Sequence, residues 1–443
     1  MEREKATGSG SGSVEDTKRR CAALSDRLQR LPNSKLSRSL KTTLSRLIHS
    51  ELNFLHRLSA ASHPLSSNIG YLEAVMHVVQ QPSITGISRV CKPINLSHPH
   101  SIYVDIVCSL NGNPVWFIVS DRNPRYISWD TNKGLKQKIE HVVDAARRSP
   151  VTLRPSSVVL FFSNGLDDGV YQNLRCEFRA VDLEIDRFSY EELEDLEDEW
   201  TNLVLGRLFP DARVVEIVVE KDKNILPELE SMGGLVSSKK HDEHSDLSLG
   251  SSLCSLVSGM KCWCSSLDDD VVKLVNFDTT AMVAFVSGIS NGKTEKLLAT
   301  PESELRGRFK GNYDFVIAQV DSEHENPIHD ELFCLISGKR GIICESVRLE
   351  FQELISMCGG RNEKLRAECF LKFLKVVPDC PSTRLVSLPT TRKLALKNKV
   401  VFGTGDYWCA PTVTANMGFV RAVSQTGMSL SVIEHRPRAL IGD

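Results

Sequence analysis

Nowhere in its 443 residues does the sequence hold a run of eighteen or so apolar residues, so nothing in it predicts a membrane-spanning helix. It also lacks an excess of charge of one sign. Its 54 Lys and Arg stand against 56 Asp and Glu, a formal net charge of −2, which is not the strongly basic profile of a dedicated nucleic-acid binder. The opening MEREKATGSGSGS has no apolar core of the kind a secretory signal needs, and residues 1–14 are expected to be a disordered tail. The 13 cysteines are odd in number and scattered from Cys21 onward. Without a leader they fit a reducing, intracellular setting, cytoplasm or nucleus. Tetrahedral zinc needs four ligands, and Cys262-Trp263-Cys264 has no second pair to complete it. Free thiols are the expectation.

At this length more than one core is needed, and the composition divides the chain. Leu24, Leu28 and Leu31, then Leu40, Leu44, Leu47 and Ile48, recur at three- and four-residue spacing. They predict two helices broken at Pro32-Asn33-Ser34, and a third follows at Tyr71–Val79. The basic residues around them, Lys18 to Arg46, read as a solvated face. From Ile102 the period changes to two, and Asn111-Gly112 before Val115–Val119 signals a tight hairpin. A helix at Leu135–Arg148 and a buried strand at Val158–Phe162 complete an α+β domain with a helical hairpin over 15–230. Asp105 sits on an apolar strand there, but no Asp/Glu-x-Lys triplet follows on the next strand to make it a nuclease carboxylate. The acidic run Glu191–Glu199 reads as a solvated segment. Residues 231–268, Ser/Gly-rich with His241 and His244, read as a flexible linker.

The remaining domain, 269–443, carries the chemistry. Val271–Phe277 predicts a buried parallel strand ended by Asp278, with a helix beyond. Such an Asp is either a helix cap or a ligand-binding group at the strand's carboxyl end. Gly341–Cys344 predicts a second strand, and the helix after it bears Glu345 and Glu350, which do not share a face. Val400–Phe402 predicts a third strand, followed by the Gly-framed turn Gly403-Thr404-Gly405 and by Asp406 at the start of a helix running from about Thr412 to Gly427. Three carboxylates at equivalent strand-to-helix points repel one another unless a divalent cation neutralises them. Over 270–443, 22 Lys and Arg face 20 Asp and Glu, a difference of +2. Arg384, Arg392, Lys393, Lys397 and Lys399 form an acid-free strip from Pro381 to Gly405, suited to a phosphate backbone.

The layout resembles that of PIN-domain nucleases. More narrowly, Phe402–Leu440 (FGTGDYWCAPTVTANMGFVRAVSQTGMSLSVIEHRPRAL), Leu274–Ser287 (LVNFDTTAMVAFVS) and Cys344–Leu354 (CESVRLEFQEL) are similar to blocks of an uncharacterised eukaryotic family. In that family a PIN-like domain of unknown function follows a separate N-terminal domain, and the features around Val104–Trp116 are similar to it too. The resemblance implies a three-layer α/β/α domain with a mainly parallel sheet. It implies Asp278, Glu350 and Asp406 as catalytic ligands of Mg²⁺ or Mn²⁺, acting on RNA or another single-stranded nucleic acid. Arg392, Lys393, Lys397, Arg436 and Arg438 would hold the strand. A departure stands at the fourth acidic position, where Glu434 is followed by Arg436 and Arg438. The alternative is a catalytically inactive module that binds RNA or, through the N-terminal half, a protein partner.

Overall fold

The computed structural model describes residues 14–58, 67–95, 101–130, 134–183, 209–219, 251–263 and 273–443. The acidic run 191–199, His241, His244 and Cys264 lie outside them. No disulfide joins the described cysteines. No helix among the described residues is long and apolar enough to cross a membrane.

The chain forms two α/β units. In the first, helices α1 (Val14–Arg30), α2 (Arg38–Arg57) and α3 (Ile69–Gln80) precede strands β1 (Ile84–Asn95), β2 (Ser101–Leu110) and β3 (Asn113–Ser120). Helix α4 (Leu135–Arg148), β4 (Ser157–Phe162), α5 (Asp168–Phe178), β5 (Val181–Asp182) and β6 (Arg213–Val218) follow. The sheet is mixed, in the order β1-β2-β3-β4-β6-β5, with β3 and β4 parallel. Asn111 and Gly112 both take positive φ, 48° and 86°, which is what the predicted two-residue hairpin requires. The period of two puts alternate side chains in different cores. Phe117 and Val119 pack with α1–α3, whereas Trp116 and Ile118 pack with the buried residues of α4 and α5. The helical face read as solvated is partly engaged: Arg20 donates to the buried Glu73 at 2.9 Å, and Arg27 is buried.

The second unit begins with α6 (Ser251–Gly259), inside the stretch that composition assigned to a linker. Its serines hide a helical period: Leu253, Leu256, Val257 and Met260 are spaced by three and four and all are buried. Then come β7 (Leu274–Phe277), α7 (Thr279–Val286), α8 (Thr294–Ala299), α9 (Glu302–Phe309), α10 (Tyr313–Glu325) and α11 (Ile328–Ile336). Strand β8 (Arg340–Cys344), α12 (Glu345–Cys358), α13 (Arg361–Phe373), β9 (Lys375–Val377) and α14 (Thr383–Val386) continue the unit. It closes with α15 (Leu396–Tyr407), β10 (Thr412–Thr414), α16 (Met417–Gln425) and β11 (Val432–Glu434). Its five strands are all parallel, in the order β11-β10-β7-β8-β9. Counted along the chain from β7 this is 5-4-1-2-3, a doubly wound sheet whose order reverses between β7 and β10. Phe277, Phe285 and Phe370 pack edge to face with ring centroids 5.5–5.7 Å apart.

One segment departs from the sequence reading. Val400–Phe402 is not a strand and Gly403-Thr404-Gly405 is not a turn; all lie inside helix α15. The strand of this stretch is β10, placed where a helix was expected to begin. Gly405 serves packing: a Cβ there would stand 2.4 Å from Thr412 Oγ1 and 2.9 Å from Asn276 Nδ2. The glycine lets the helix lie directly against β7 and β10, where Asn276 also donates to the Val401 carbonyl at 3.2 Å.

Candidate functional site

Doubly wound sheets bind ligands at the carboxyl ends of the strands, in the crevice where the order reverses. Here that point lies between the ends of β7 and β10, at Asp278 and Thr414. Asp278 is buried and caps α7, accepting from the Ala281 amide at 2.9 Å and the Thr280 hydroxyl at 2.6 Å. Its other oxygen takes the Thr414 hydroxyl at 2.5 Å. Thr280 in turn accepts from the Ala415 amide at 2.8 Å, and Thr414 from the Asn416 amide at 2.9 Å. This lattice ties the first turn of α7 to the loop that starts α16. Burial raises the Asp278 pKa, and the Thr280 and Thr414 hydroxyls and backbone amides work against it. Both the cap and the ligand-edge readings of Asp278 therefore describe its position. Its oxygens, however, are already occupied by protein donors. Asp278→Ala removes a cap and takes the acceptor from the buried Thr414 hydroxyl and the half-buried Thr280 hydroxyl, so the chain should lose about 2 kcal/mol in urea unfolding; a loss below roughly 0.5 kcal/mol would contradict this role.

Glu350 reaches the same edge. It accepts from the Thr279 hydroxyl at 2.8 Å and pairs with Lys397 Nζ at 3.0 Å. Burial pushes its pKa up, but Thr279 and Lys397 outweigh that and hold it below the ordinary value. Glu345 pairs with Arg348 instead. Of the two, only Glu350 meets the residue next to Asp278.

Asp406 does not join them. Helix α15 leads into the start of β10, so its last turn lies at the opposite strand end from Asp278. Along the axis, Lys397 and Asp406 are separated by about 14 Å at 1.5 Å per residue. Asp406 accepts from Ser382 Oγ at 2.6 Å and lies 3.5 Å from Arg384 Nε. Glu434 ends β11 level with Thr414, two strands from Asp278 and therefore roughly 10 Å away. Among the described residues no three His, Cys, Asp or Glu side chains gather to hold an ion. Mg²⁺ and Mn²⁺ favour several carboxylate and water oxygens around one point. The residues present do not fit the three-carboxylate centre that the sequence resemblance implies.

The basic residues separate into two sets. Arg392, Lys393 and Lys397 are exposed, on the turn before α15 and in its first turn. Ala395 at its N-cap has no side-chain acceptor to offer, which leaves the leading amides uncapped. Lys399, in the same strip, is buried and donates to Thr390 at 2.9 Å. Arg438 is buried too, its Nε 2.6 Å from Glu323, so it is a structural cation and not one offered to a nucleic acid. Arg436 is exposed and donates to Ser322 Oγ at 3.2 Å. Sequence reasoning did not single out Thr414 or Asn416. The signal was Thr412-Val413-Thr414, a polar/apolar alternation of β-branched residues too short to stand out beside the apolar period of α16.

Asp105, weighed as a carboxylate of the first unit, is buried and accepts from the Val119 amide at 2.7 Å and from the Tyr71 hydroxyl.

The second unit is thus an α/β domain with an acid-capped switch point and a basic helix start beside it. A family model described as a protein of unknown function (DUF1308) matches residues 275–443, from β7 to the end of the sheet and beyond. The chain carries this domain at its C-terminus. No solved structure matches the chain.

Proposed function

We propose that the C-terminal unit is a PIN-like module that binds single-stranded nucleic acid, RNA foremost, without assembling a hydrolytic metal centre. The observation that carries this is the fate of the acids. Asp278 is taken up by Thr280, Thr414 and Ala281, Glu350 by Thr279 and Lys397, and Asp406 lies at the far strand ends. Lys397 puts an ammonium beside the Glu350 carboxylate, where the nuclease layout wants a divalent ion. With Arg392, Lys393 and the uncapped amides of α15 it forms a short cationic edge that suits backbone phosphates. The strand order and the placement of Asp278 support the PIN-like reading.

Anisotropy titrations of the full chain with a labelled single-stranded RNA test it. Replacing Arg392, Lys393 and Lys397 by Gln together should weaken binding at least tenfold, while Arg361→Gln, away from this edge, leaves it unchanged. Equal binding by the triple variant would overturn the assignment. A second reading, an Mg²⁺- or Mn²⁺-dependent nuclease, draws on one observation: Asp278 and Glu350 do converge across Thr279.

A further inference from the structure

A cavity of about 120 Å³ opens in the first unit, far from the acids of the DUF1308 domain in sequence. Ser120, Arg122, Gly134 and Lys138 line it, with Leu160 and Phe162 among its apolar residues. The location follows from the fold. Strands β3 and β4 are the parallel pair of this sheet, Ser120 and Phe162 are their last residues, and the two are paired in register. The crossover between them contains α4, whose start faces back to those carboxyl ends, the usual ligand edge of a parallel pair.

The lining of this cavity carries two cations and no acid. Lys138 and Arg122 are close enough to repel, and neither side chain makes a hydrogen bond or ion pair with a described residue. Although Lys138 as a whole is exposed, loss of water around its ammonium pushes its pKa down. Asp105 opposes that shift and Arg122 adds to it. Asp105 lies beneath the strand with its oxygens already taken by Val119 and Tyr71, so it neutralises at most one of the two cations. Gly134 caps α4 without a side chain, but the first two amides of the helix are already taken, Leu135 donating to the Ser128 carbonyl at 2.9 Å and Lys136 to that of Trp129 at 3.4 Å. Two cations without an ion-pair partner and a hydroxyl, all lining one small cavity, are the complement of a compact anion of double charge.

The geometry points to a phosphomonoester site: Lys138, Arg122 and Ser120 hold a terminal phosphate dianion in this cavity, with the organic group against Leu160 and Phe162. The volume agrees, being below the roughly 300–1,000 Å³ of clefts that enclose a whole cofactor. It admits a phosphate and the first atoms attached to it, not a nucleoside. This goes beyond the proposed function, which concerns the other unit, and either can fail alone.

Titration calorimetry of the full chain with inorganic phosphate at low salt tests the site. Saturable binding is expected, weakened at least tenfold by Lys138→Gln and also weakened by Arg122→Gln. Lys136→Gln removes a neighbouring cation that pairs with Glu177 at 2.8 Å; it should bind like the wild type, which separates a built site from general charge. Thermal melts of Lys138→Gln and Arg122→Gln should match the wild type, since neither side chain holds a described partner. Phosphomonoesters occur on small molecules and at the ends of nucleic-acid strands. Competition between glycerol 3-phosphate and a 5′-phosphorylated RNA tetramer identifies the source by the tighter competitor. No saturable binding, or undiminished binding by Lys138→Gln, overturns the site.

Discussion

Arg438→Ala should cost the chain about 3–5 kcal/mol, the largest loss expected of any single substitution considered. Arg438 and Glu323 form a buried pair, with side-chain exposures of 1% and 7%. Burial pushes the Glu323 pKa up, and Arg438 is what draws it back toward ionisation. Glu323 also accepts the Ile328 amide at 3.2 Å at the start of α11, so it cannot turn away to water without uncapping that helix. Removing the guanidinium leaves an uncompensated carboxylate in the core. Replacing both partners together, Glu323→Gln with Arg438→Met, should recover most of the loss, because no charge is then left buried. Urea unfolding of the single and double variants measures both effects. A loss under about 1 kcal/mol for Arg438→Ala would return this residue to the candidate nucleic-acid contacts, where the sequence alone had put it.

The second large effect is with pH. His329 and His435 are both 3% exposed, and burial holds each pKa down at about 4. The ordinary value is 6.5. Their folded values lie below their unfolded ones, so the unfolded chain binds the extra protons as the pH falls. The stability they contribute is complete above the unfolded pKa and is lost as pH drops from about 6.5 to about 4. At pH 5 the linkage amounts to about 2 kcal/mol per histidine, at a pH where most carboxylates are still ionised. His329 Nε2 lies 3.2 Å from the Phe285 carbonyl and His435 Nδ1 lies 2.9 Å from that of Arg436. Each ring thus has a place for one proton and poor accommodation for a second. Unfolding midpoints measured between pH 7 and pH 5 should fall, and His329→Gln should flatten the slope. A midpoint constant over this window would mean that these rings are not held neutral.

The first unit was legible because its signals are local. Asn111-Gly112 names its own turn, and alternation over Ile102–Val119 assigns the two faces of the sheet. Asp278 was legible for the same reason, as an acid between a buried run and a helix. The stretch 396–414 was not. Val400-Val401-Phe402 is β-branched and aromatic and borders two glycines, so local propensity favours a strand. Long-range packing decides against it: Asn276 hydrogen-bonds the Val401 carbonyl, and Gly405 fits against Thr412 only in a helix laid on the sheet. Moving that helix moved Asp406 to the wrong strand ends and left Lys397 at the right ones. The fate of Arg438 was hidden likewise, since its partner Glu323 lies 115 residues earlier in the chain.

The central claim is that the acids of the DUF1308 domain are structural and that its edge binds a strand without cutting it. Incubating the full wild-type chain with single-stranded RNA and Mn²⁺, beside Asp278→Asn and Glu350→Gln, tests this most directly. The expected result is intact RNA in all three reactions. Cleavage by the wild type that disappears in both variants would contradict the account and establish the nuclease in its place.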